Sequence, residues 1–101
     1  MTTIYLVMGQ TGEYSDAHEW SVKAFHKEED AVGMVEEANR TIKKIIFGLS
    51  WNDVYCTVGS EELTEVRELL QSEMEKLDPK FHFDYNGVRY FYVSVPAKLR
   101  S

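Results

Sequence analysis

The chain has 101 residues, 44% hydrophobic and 28% charged, which suits one domain spanning residues 1–101 with a single core and excludes a disordered chain. A net charge of −6 weighs against direct nucleic-acid binding, which draws on clustered Lys and Arg, and favours solubility or a basic protein partner. A lone cysteine, Cys56, excludes an internal disulfide, and neither an export leader nor a stretch near the about 20 apolar residues that span a bilayer is visible, so a cytoplasmic setting with no membrane contact is expected.

Ile4-Tyr5-Leu6-Val7-Met8 is a continuous run of β-formers closed by Gly9 and predicts a central strand buried on both faces. Trp20, Val22 and Ala24 alternate with Ser21 and Lys23, predicting a second, half-exposed strand paired antiparallel to the first. From Lys27 to Phe47 the apolar positions Ala31, Met34, Val35, Ala38, Ile42, Ile45, Ile46 and Leu49 recur at helical spacing, with Glu28, Glu29 and Asp30 in the first turn, Arg40, Lys43 and Lys44 toward the end and Gly48 as a stop. Gly33 within this helix costs about 1 kcal/mol relative to Ala, which implies close approach to a neighbouring element.

Leu49 to Gly59 has no helical period and leaves room for a short strand around Val54 to Val58. Ser60 is a good N-cap for a second helix with the core stripe Leu63, Val66, Leu69, Leu70, Met74 and Leu77, ended by Asp78-Pro79. Asn86-Gly87 predicts a two-residue hairpin that pairs Tyr85 with Val88 and Phe83 with Tyr90. The expected fold is α+β, a four-stranded antiparallel sheet with two helices packed on one face, in the order β-β-α-α-β-β.

The sharpest chemical feature is the acidic second helix. Between Ser60 and Asp78 stand Glu61, Glu62, Glu65, Glu68, Glu73, Glu75 and Asp78 against Arg67 and Lys76, most of the chain's excess negative charge. Glu61, Glu65, Glu68 and Glu75 fall on one helical flank, a solvated face or a surface presented to something positive. At 1.5 Å per residue that flank runs about 21 Å, long enough to follow several phosphate spacings of an arginine-rich nucleic-acid channel. The loop from Gly12 to Trp20 gathers Tyr14, Asp16, His18 and Trp20, a second candidate partner-binding group, although Trp20 also suits a core anchor.

Other chemistry is weaker. Asp16, His18 and Glu19, helped by His26 or His82, match no ligand spacing, so neither metal nor cofactor is expected. Cys56 reads as a small buried hydrophobe, and the chain contains no phosphate-cradling loop or nucleophile elbow, so it is read as non-enzymatic, with a minor enzyme using His18 or Cys56 as the remote alternative. Tyr85, Tyr90 and Tyr92 on the last hairpin offer an aromatic sheet face for a small ligand or a homodimer contact.

Ile4-Tyr5-Leu6-Val7, Gly12-Glu13-Tyr14-Ser15-Asp16, Glu19-Trp20, Ala24-Phe25 and Glu28-Glu29-Asp30-Ala31 together resemble a family of small bacteriophage and prophage proteins of uncharacterised function. The resemblance covers residues 4–31, with a looser likeness in Tyr90-Phe91-Tyr92-Val93-Ser94-Val95-Pro96, and brings no catalytic residues with it. It implies a setting in which compact acidic proteins bind and block a host nucleic-acid-handling or defence protein.

Overall fold

Alternating and helical hydrophobic periods resolve into six elements in the computed structural model, which describes residues 3–12 and 17–96. They are β1 (Thr3–Thr11), β2 (His18–Phe25), α1 (Glu28–Ile45), α2 (Trp51–Tyr55), α3 (Glu61–Glu75) and β3 (Val88–Pro96). β1 is the middle strand, antiparallel to β2 on one side and to β3 on the other, so the sheet order is β2-β1-β3. Its register runs from Thr3 opposite Pro96 to Thr11 opposite Val88, and a bulge near Val7 and Met8 interrupts the pairing with β2. No helix among the described residues is long and apolar enough to cross a membrane.

The expected four-stranded sheet with two helices is corrected to three strands and three helices, in the order β-β-α-α-α-β. The fourth strand is lost at the Asn-Gly turn. The Asp84 carbonyl accepts from the Gly87 N–H at 2.8 Å, and Asp84 Oδ1 accepts from the Asn86 N–H at 2.9 Å, so the turn starts one residue early. Gly87 closes it at φ +92°, and pairing ends at a single Asp84–Gly87 bridge. Phe81 and Phe83 are drawn into the core instead, where the Phe83 ring meets Trp51 at 5.4 Å and Tyr55 at 6.3 Å.

The additional helix replaces the strand expected around Val54. Ser50 Oγ accepts from the Asp53 N–H at 3.1 Å while Asp53 Oδ2 accepts from the Ser50 N–H at 3.3 Å, a reciprocal cap on a five-residue helix that buries Val54. Trp51 at its start lies across Gly87, where a Cβ would come within 2.5 Å of the indole.

All helices contribute to one core on one face of the sheet. Val7, Trp20 and Tyr90 meet Ala31, Ala38 and Ile42 from α1, Val54 from α2, Leu70 and Met74 from α3, and the two phenylalanines. β1 therefore buries one face against helices, while Ile4, Leu6 and Met8 on the other face are half-buried only by their neighbours in the sheet. Two smaller expectations also change. Gly33 is exposed with open space around it, so no close approach explains it, and Leu69 is 51% exposed and stands outside the core stripe.

Candidate functional site

α3 is set by its cap and its apolar stripe. The Ser60 hydroxyl accepts from the Leu63 N–H at 3.1 Å and so satisfies one of the first-turn amides. Leu70 and Met74 are buried, Leu63 and Val66 are half-buried, and the helix thereby turns Glu61, Glu65, Glu68, Ser72 and Glu75 to solvent. Spacings of four, three, four and three residues keep these along one line of the surface.

Nothing on the helix neutralises the upper part of that line. Arg67 is turned inward, donating to the Tyr55 carbonyl at 2.7 Å with its guanidinium 5.5 Å from the Tyr55 ring and 5.5 Å from the Phe83 ring. Lys76 pairs with Glu73 at 3.0 Å, and Glu75 accepts from Gln71 at 2.8 Å. Glu61, Glu65 and Glu68 make no ion pair among the described residues. Leu69, which sequence reasoning placed in the core, is 51% exposed one turn on from Glu65 at the edge of that row, and Val58 just before the N-cap is 93% exposed. The result is an acceptor-rich helix face with an apolar side chain at its edge, a surface that can take arginine or lysine and cover one greasy contact.

The loop candidates separate. Tyr14 and Asp16 lie outside the described residues. Trp20 is buried, and its indole N–H donates to Asp78 Oδ2 at 2.8 Å, so it anchors β2 to the end of α3. The same oxygen accepts from the Tyr90 hydroxyl at 2.7 Å, and Asp78 Oδ1 accepts from the Lys80 N–H at 3.0 Å. Burial first, and then the hydrogen bond and charge of Asp78, raise the Tyr90 hydroxyl far above its ordinary range. His18 is exposed and stands next to His82, with ring centroids 5.2 Å apart.

The remaining chemical candidates stay apart. No cluster of three metal-ligating side chains occurs among the described residues. Cys56 is exposed at the C-cap of α2, where the sequence suggested a buried position. Tyr90 is buried against the helices, Tyr92 donates its hydroxyl to Glu28 at 2.7 Å, and Tyr85 stands out by Tyr55, so the three tyrosines form no common groove. Comparison with protein-family models, with curated proteins and with solved structures finds no match.

Proposed function

We propose that this chain is a non-enzymatic binding protein that docks the outward face of α3 on a protein with a basic surface, and the cytoplasm is the setting the sequence favours. The observation that carries the reading is the row of Glu61, Glu65 and Glu68 with no ion pair among the described residues, beside an exposed Leu69, while Arg67 is held inward. Like charges at helical i,i+3 and i,i+4 spacing destabilise the free helix by a few tenths of a kcal/mol per pair, and a basic partner reverses the sign of that term. Leu69, one turn on from Glu65 at the edge of the row, gives the contact an apolar side chain that binding can desolvate. Line length and charge match a channel that otherwise holds a nucleic-acid backbone, and the resemblance to small phage proteins supports a modulator of a host nucleic-acid-handling or defence protein.

The test is capture of a partner from bacterial lysate by tagged protein at low and high salt, with Glu65→Lys/Glu68→Lys and Leu69→Ala alongside. The expected partner is basic, is released by salt and by added single-stranded DNA, and is lost with both variants. A partner that binds both variants as tightly as the parent chain would overturn the reading.

A further inference from the structure

The side of the sheet that faces away from the helices is apolar, and no helix among the described residues covers it. Val7, Gly9 and Thr11 turn toward the core, so Ile4, Leu6, Met8 and Gln10 turn away from it. Across β3 these stand opposite Val95, Val93, Phe91 and Arg89. Across β2, Leu6 stands opposite Ala24, Met8 opposite Ser21 and Gln10 opposite Glu19. Arg89 Nε donates to Gln10 Oε1 at 2.8 Å and its guanidinium lies 5.2 Å from the Phe91 ring, which fixes all three on the outer side. Ile4, Leu6, Met8, Phe91, Val93 and Val95 take no part in the core or in the shell packed against it, and Val93 is 38% exposed.

We propose that a second copy of this chain closes this face, with the two-fold axis running along β1. Such an axis lays β2 of each subunit over β3 of the other and keeps the strands of the two sheets aligned, as in sandwiches packed about 10 Å apart. The side chains are self-complementary under that operation. Ser21 and Ala24, the small residues of β2, lie under the partner subunit's Phe91 and the partner subunit's Val93, so large meets small on both sides of the axis. At the end of the face, Glu19 meets the partner subunit's Arg89, and the reciprocal pair forms across the axis. Leu6 and Met8 meet their own copies on the axis itself.

The net charge of −6 does not oppose this pairing. α3 packs beside α1 and α2 on the helix side of each sheet, so the two α3 helices are held about 30 Å apart, well beyond the screening length of about 8 Å at physiological salt. A three-stranded face about 14 Å wide and about 30 Å long, with its rim, reaches the low end of specific interfaces, about 600 Å² per subunit, and so predicts a reversible dimer in the micromolar range. This dimer stands or falls independently of the α3 reading, because Glu65→Lys/Glu68→Lys lies outside it and leaves it unchanged.

Sedimentation velocity of the full chain from about 1 µM to about 200 µM tests it. The expected result is a concentration-dependent shift from 11.7 kDa to twice that mass. Leu6→Lys, at a position outside the core, should stay monomeric with an unchanged far-ultraviolet spectrum. Glu19→Arg and Arg89→Glu should each weaken association by about tenfold, and the two together should restore it. A monomer at the highest concentration, a dimer that survives Leu6→Lys, or a double exchange no tighter than either single change would each overturn the proposal.

Discussion

Asp78 ties together β2 and β3, the two outer strands of the sheet, through a single carboxylate oxygen. Its carboxylate is 1% exposed and accepts from Trp20, Tyr90 and the Lys80 backbone, so its burial is offset by three donors. Asp78→Ala leaves the indole and phenol donors buried without a partner and is expected to cost about 3 kcal/mol in urea unfolding, against about 1 kcal/mol for Tyr90→Phe, which removes one hydroxyl and one bond. The raised Tyr90 titration sets the alkaline behaviour. The folded chain holds that proton more tightly than the unfolded chain does, so the associated stability is whole below the ordinary value of 10.0 and is lost as pH rises beyond it. The urea midpoint should therefore fall between about pH 9 and about pH 11, and fall less in Tyr90→Phe. Read in the sequence, Asp78 was the end of a helix and one more negative charge. Its burial depends on Trp20 and Tyr90 arriving from distant strands, which no local pattern encodes.

At the scale of elements, the segments with a full hydrophobic period were legible and the short ones were not. β1, β2, α1 and α3 each carry enough alternating or helical positions to declare themselves, and the Ser60 cap falls where its side chain predicts. α2 has too few residues to show a period, and its only sequence signal is Ser50 with Asp53 three positions on. The missing fourth strand turned on a one-residue shift of the hairpin, decided by the Asp84 side chain capping its own turn and by Trp51 seated on Gly87. Gly87→Ala should accordingly be strongly destabilising, since it adds a Cβ against the indole at a backbone angle that favours glycine. Gly33→Ala should act in the opposite direction. It lies mid-helix in open space, so the substitution should raise stability by up to about 1 kcal/mol, read from the thermal or urea midpoint. The acidic flank of the candidate site was visible as spacing, whereas Leu69 was assigned to the core because a helix-period stripe is wide and only packing decides its edge.

For the molecule as a whole, the chain divides its two large surfaces by chemistry, with carboxylates on the helix side and aliphatic side chains on the open side of the sheet. The sequence contained a hint of the second. The run Ile4 to Met8 reads as a strand covered on both faces, yet the chain's own helices cover only one. Closure of the sheet depends on β3, which supplies Val88 and Tyr90 to the core, so a chain ending before Val88 should lose cooperative unfolding and near-ultraviolet signal while keeping some helix. The pairing of Thr3 with Pro96 has a further consequence during synthesis. β1 leaves the ribosome well before β3 and cannot be flanked on both sides until Val88 to Pro96 has followed, so while the segments between them are made a strongly apolar strand waits with one edge bare. That interval is when a nascent chain of this topology is most open to capture by a chaperone, or by another copy emerging from the same messenger.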